Sequence, residues 1–142
     1  MYDDILVPTD GSAGMETVLE HAGRLAAEHD ARVHILYVVD TASLSGLPVE
    51  SSFEGVNRQL TTEGERALDD AEAHLEGSVE RTLREGSPAR EVVAYATEAG
   101  CDVVVMGTHG RTGVDRLILG SVAERVVRSS PVPVLTVRVS PN

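Results

Sequence analysis

The chain has 142 residues, 42% of them apolar, one cysteine and a formal net charge of −11. That length suits one domain with a full core, and a lone Cys101 rules out an internal disulfide or a cysteine-based metal cluster. All 12 basic residues are Arg against 23 acidic ones, a balance that argues against a nucleic-acid or anionic-membrane partner, since such proteins attract phosphate with a positive face.

No apolar window reaches the roughly 18 residues of a membrane-spanning helix. The opening MYDDILVPTD has neither a basic start nor a long apolar stretch, so it does not read as a secretory signal, and the expected location is the cytoplasm. An acidic, Lys-free composition fits two settings: a high-salt cytosol, where screening tolerates self-repulsion, or plain acidic solubility.

In chain order, DDILVP at 3–8 closes a short apolar run with proline, and Asp10-Gly11-Ser12 follows as a turn with a helix N-cap candidate. Met15, Val18, Leu19, Ala22, Leu25 and Ala26 then form a helical stripe. RVHILYVV at 32–39 is a β-branched run suited to a buried strand. Residues 40–56 show no clear period, so a long functional or mobile connection is expected there. Residues 57–76 repeat Leu60, Ala67, Leu68, Ala71 and Leu75 at helical spacing, with Gly77 as a stop.

VERTLR at 79–84 alternates like a strand near a sheet edge, and Pro88 opens a helix carrying Val92, Val93 and Ala96 that Gly100 ends. DVVVMG is apolar on both faces. Ser121 to Ser130 reads as a helix with Val122, Val126 and Val127 inward, and VLTVRV closes the chain as a strand. Cys101 is expected in the core, and the five histidines show no metal-ligand spacing. Strands and helices alternate from end to end. That implies one α/β domain over 1–142, a doubly wound parallel five-stranded sheet with helices on both faces. For strand order 3-2-1-4-5, the reversal lies between the first and fourth strands, and ligands bind at the carboxyl ends there.

Four glycines, at 107, 110, 113 and 120, stand between the fourth strand and the last helix. Glycine lets a backbone approach a phosphate and adopts positive φ without strain. A helix N-terminus adds free N–H groups and partial positive charge. The alternative is that these glycines are turn residues. GSVAER lacks the Lys of a Walker loop, and VPTDGSAG is not GxGxxG. A receiver domain of the response-regulator type needs an acidic pair at the end of the first strand and a Lys, and neither is present. Residues 107–130 carry four Arg against Asp115 and Glu124, a local +2 that leaves −13 on the rest of the chain. Arg111 is the candidate for an anionic ligand, whereas Arg125 and Arg128 equally suit the C-terminal half of their own helix.

Gly107-x-x-Gly110, nine residues, then Gly120-Ser121, together with VPTDGS, YVVD, PAREVV, MGTHGRTG and PVPVLTVR, resembles the ATP-binding branch of the universal stress protein family. The resemblance implies a regulatory protein that binds ATP and Mg²⁺ and acts by nucleotide-dependent conformation or partner binding. Asp10 would contact the adenosine, with Pro8 and Thr9 beside it, and Val38 would offer backbone groups to adenine. Gly107 would lie against ribose. Gly110, Gly120, Ser121 and the Val122 amide would hold the phosphates, which carry the Mg²⁺ with help from the Ser121 hydroxyl; no further metal site is expected. His109 and Arg111 complete the set, although His109 also reads as a turn histidine. The family pairs as a homodimer through its last strand, Val132 to Val139 here. No catalytic residue stands out, so a slow ATP hydrolase and a nucleotide-free dimerisation module are the competing readings.

Overall fold

β1 (Asp4–Pro8) lies at the centre of a parallel sheet between β2 (Arg32–Asp40) and β4 (Val103–Gly107). β3 (Val79–Gly86) and β5 (Val134–Val137) form the edges, so the order is β3-β2-β1-β4-β5, the order considered from the sequence. This computed structural model describes residues 2–41, 50–109 and 119–139, with backbone alone for 50–57. The helices are α1 (Met15–His29), α2 (Glu50–Ala73), α3 (Pro88–Glu98) and α4 (Ser121–Ser129).

Successive strand side chains point to opposite faces, and the core divides accordingly. Ile5, Val7, Val33, Ile35, Val103 and Val105 pack under α1 and α2, with Val18, Leu19, Ala22, Leu68 and Ala71 opposing them. Leu6, Leu36, Val104 and Met106 pack on the other face against Ala89, Val92 and Ala96 of α3 and Ala123 and Val126 of α4. Cys101 belongs to this second layer, where burial pushes its thiol up to about 12. Asp102 ties the start of β4 to β1: its carboxylate accepts from the N–H groups of Asp3 and Asp4 at 2.8 and 2.9 Å. Those bonds, to Asp4 first and then Asp3, hold its pKa below the ordinary carboxylate value. His34, almost fully buried, bridges three elements: Nε2 lies 2.8 Å from Asp4 Oδ1 of β1, and Nδ1 lies 2.8 Å from the Tyr95 hydroxyl of α3. Glu80 of β3 approaches Nδ1 at 3.2 Å.

Several boundaries differ from the expectation. α2 begins at Glu50, not 57, and ends at Ala73, not 76. Phe53, Val56 and Leu60 extend the helical spacing backwards through what composition alone marks as a loop, and residues 42–49 lie outside the described residues. β3 runs two residues further, to Gly86, whereas β5 stops at Val137 rather than 139. α1 takes Gly14 as its N-cap, not a residue of the Asp10-Gly11-Ser12 turn. In α4 only Val126 of the three valines faces the core; Val122 and Val127 are exposed at 37% and 45%. A helix of this length reaches the sheet along one narrow stripe, and Ala123 and Val126, three apart, fill it.

Candidate functional site

β1 and β4 are neighbours, so the loops leaving their carboxyl ends face one another across the point where strand order reverses. On the β1 side, Pro8 ends the strand and Thr9 is buried. The Thr9 N–H donates to the Leu36 carbonyl at 2.8 Å, and its hydroxyl accepts from Gly11 N–H at 3.1 Å. Gly11 has φ 76°, a left-handed conformation that glycine adopts freely. Asp10 stands half-buried at the rim, and its carboxylate accepts from Ser12 N–H at 2.9 Å. Asp10 therefore closes the turn ahead of α1 and does not cap the helix itself. Val38, half-buried at the carboxyl end of β2, pairs in register with Arg84 of β3.

On the β4 side, Gly107 ends the strand in tight quarters. A Cβ there would lie 3.0 Å from Val139 Cγ2, 3.3 Å from Val18 Cγ2 and 3.4 Å from the His109 carbonyl. The close approach at Gly107 is thus to the protein's own side chains. Gly14 is occupied in the same way, because a Cβ would overlap the Val139 side chain. Beyond Gly107 the chain passes Thr108 and the half-buried His109. It re-enters the described residues at Leu119 and Gly120; Gly110, Arg111, Gly113 and Arg116 lie outside them.

Gly120 is the N-cap of α4, with φ −62° and ψ 160°. Its N–H donates to the Thr108 carbonyl at 2.7 Å, and its own carbonyl accepts from Glu124 N–H at 2.9 Å. That bond begins the helical ladder, so the N–H groups of Ser121, Val122 and Ala123 have no acceptor within the helix. Ser121 and Val122 are both exposed. Three donors, a hydroxyl and the positive end of the helix dipole thus gather opposite Asp10, an arrangement suited to an anion. Of the two arginines left between a ligand role and a helix role, Arg128 pairs with Glu124 one turn away at 3.0 Å, on the surface of its own helix, and Arg125 is exposed.

The residue that sequence reasoning passed over is Thr108. Its N–H donates to the Val137 carbonyl at 3.0 Å, and its carbonyl accepts from Gly120. Its hydroxyl accepts from Val139 N–H at 3.3 Å and lies 3.1 Å from His109 Nδ1. The available signal was a hydroxyl residue placed directly after the strand glycine.

With this geometry in place, the comparisons with known proteins decide the family. The model of the universal stress protein family matches residues 1–138. This chain belongs to the universal stress protein family. Universal stress protein MJ0531 of Methanocaldococcus jannaschii is 41% identical over 141 residues, covering 97% of this chain and 83% of the relative. The solved structure of MJ0577, from the same organism, matches with a TM-score of 0.83 and 31% identity over 100% of this chain and 99% of that one. A universal stress protein solved in complex with cAMP matches with a TM-score of 0.71 and 27% identity, covering 98% of each chain. Nucleotide binding is therefore found within the family on this same fold.

Proposed function

We propose that this universal stress protein binds an adenine nucleotide, ATP with Mg²⁺ in the first place, at the carboxyl ends of β1 and β4, and acts through the conformation or partner binding that the nucleotide favours. The observation that carries the reading is the first turn of α4: three backbone N–H groups with no acceptor in the helix, the exposed Ser121 with its hydroxyl, and a glycine N-cap, at the same end of the sheet as Asp10. Ser121, the Val122 amide and Gly120 hold phosphate. Asp10, with Pro8 and Thr9 behind it, contacts the nucleoside, and Val38 borders the base. His109, Gly110 and Arg111 complete the phosphate side. In this reading the Mg²⁺ arrives on the phosphates and the Ser121 hydroxyl is its protein contact. The β5 edge pairs two chains into a homodimer.

Gly120 provides a clean test, because its φ and ψ are open to any residue. Gly120→Val should fold normally while its side chain fills the phosphate position and abolishes binding of Mg-ATP in a calorimetric titration. Unchanged affinity would exclude the cradle. Turnover should stay well below the roughly 1 s⁻¹ of ordinary enzymes; a faster rate that vanishes in Asp10→Asn would replace a binding protein with a hydrolase. The cAMP complex of a relative favours a second ligand, the cyclic nucleotide. Competition of cAMP against bound ATP ranks the two, and displacement of ATP by equimolar cAMP would reverse the order proposed here.

A further inference from the structure

Thr108 bonds both the N-terminus of α4 and the end of β5. Through its carbonyl it holds the N-cap of α4 at Gly120, 2.7 Å away. Through its N–H it holds Val137, the last residue of β5, at 3.0 Å. Its hydroxyl then accepts from the N–H of Val139 at 3.3 Å, beyond the end of the strand. That last bond matters because Val139 does not pair in the sheet, yet its side chain is buried against Gly14 and Gly107, at the start of α1 and the end of β4. The Thr108 hydroxyl is thus a polar tether for a side chain that packs beneath both loops of the site.

The same hydroxyl lies 3.1 Å from His109 Nδ1. A hydroxyl carries one proton and two lone pairs. With one lone pair accepting from Val139, its own proton is free to point at Nδ1. When Nδ1 accepts that proton, the ring proton sits on Nε2.

We infer that Thr108 is the positioning residue of this site: its hydroxyl sets the tautomer of His109 and the seat of Val139, so that nucleotide at the α4 N-terminus and the chain at the end of β5 are coupled through it. This rests on the nucleotide reading above. The coupling is reciprocal, as any binding linkage must be. Nucleotide bound at Gly120 steadies Thr108, and a steadier Thr108 holds Val139 more firmly; loosening Val139 in turn weakens the nucleotide.

Thr108→Val removes the hydroxyl at nearly constant shape, and Thr108→Ser restores it without the methyl. Three readouts separate this role from mere structural support. Nitrogen NMR of the histidines should show His109 as the Nε2–H tautomer in the wild type and in Thr108→Ser, and a mixture of tautomers in Thr108→Val. Amide exchange at Val139 should slow when Mg-ATP is added to the wild type, and quicken in Thr108→Val. Mg-ATP affinity should fall roughly tenfold in Thr108→Val, the order of one net hydrogen bond, and recover in Thr108→Ser. Wild-type affinity in Thr108→Val, or a Thr108→Ser variant as impaired as the valine, would overturn the inference. An Nδ1–H tautomer in the wild type would do so without any variant, which covers the case in which Thr108→Val fails to fold. A wild type that binds no Mg-ATP overturns the nucleotide reading instead, and the His109 tautomer and unliganded Val139 exchange then decide whether the hydroxyl holds both partners.

Discussion

At one edge of the sheet β3 runs for eight residues and carries Glu80, Arg81, Arg84 and Glu85; at the other, β5 runs for four, reading Val134, Leu135, Thr136 and Val137. The β3 charges are engaged. Arg81 meets Asp69, Glu65 and Glu72 from the α2 side at 2.6, 2.9 and 3.1 Å, and these contacts, the Asp69 hydrogen bond first, raise its already high pKa. Arg84 meets Glu98 at 2.8 Å and Glu91 at 3.5 Å, and lies over the Tyr95 ring at 5.0 Å. A strand so crowded with charge does not admit another strand beside it. β5 has no such guard. Leu135 is 44% exposed on this edge, and Val127 of the neighbouring α4 is exposed as well. One sheet thus treats its two free edges differently: one is defended by ion pairs, and the other offers apolar surface and backbone groups that a second chain would cover.

The largest effect should come from confusing the buried and exposed sides of β5. Val137 is only 7% exposed and packs with Val139 in the core. Val137→Glu would place an unpaired carboxylate there, costing about 3–5 kcal/mol, and the protein should lose most of its stability in a urea titration. A variant melting within a degree of wild type would mean that Val137 faces outward. Leu135→Glu is the sharper probe of assembly. It should leave the melting temperature nearly unchanged, within about 0.5 kcal/mol of stability, while sedimentation shows monomers. An intact dimer would move the interface away from β5.

Sequence patterning made the architecture legible because it reports burial directly. The runs in β1, β2 and β4 are apolar on both faces, and the helical stripes name the residues that α1 buries and, in α3, Val92 and Ala96 but not Ala89 or Tyr95. The glycine spacing pointed to one end of the sheet, and Asp10, Gly107, His109, Gly120 and Ser121 all lie at that end. What remained hidden depends on partners distant in sequence. Thr108 acquires its role from Val139, 31 residues away. Leu135 and Val137 alternate alike in the sequence, yet only Val137 is covered. Val122 and Val127 looked inward because they are apolar, whereas a short helix has room for Ala123 and Val126 alone. That a Cβ at Gly107 would crowd Val139 and Val18 is likewise invisible in the sequence.

Removing the β3 clamp should have a smaller effect than either change at β5. Arg81 is about one-third exposed and its carboxylate partners are about half exposed or more, so solvent screens each pair to roughly 0–1 kcal/mol. Arg81→Gln should therefore cost about 1 kcal/mol at low ionic strength in a urea titration. A loss of several kcal/mol would mean that the clamp, not the apolar face, secures α2 to the sheet.

Salt should change both edges by less still, and in opposite directions. At molar KCl the Debye length shrinks to about 3 Å, so the cost of Arg81→Gln should fade as its ion pairs are screened. In the proposed dimer the contact at β5 is apolar and gains nothing from charge, while two chains of net charge −11 repel one another as they approach. Screening removes that repulsion, so the same salt should tighten the dimer. Were the acidic, Lys-free composition an adaptation to high salt rather than plain acidic solubility, stability should rise alongside assembly. Sedimentation at about 0.1 and 1 M KCl, run beside urea titrations of wild type and Arg81→Gln, measures both responses together. If the dimer loosens as salt rises, charge rather than apolar surface holds β5 to its partner, and the contrast between the edges is drawn the wrong way.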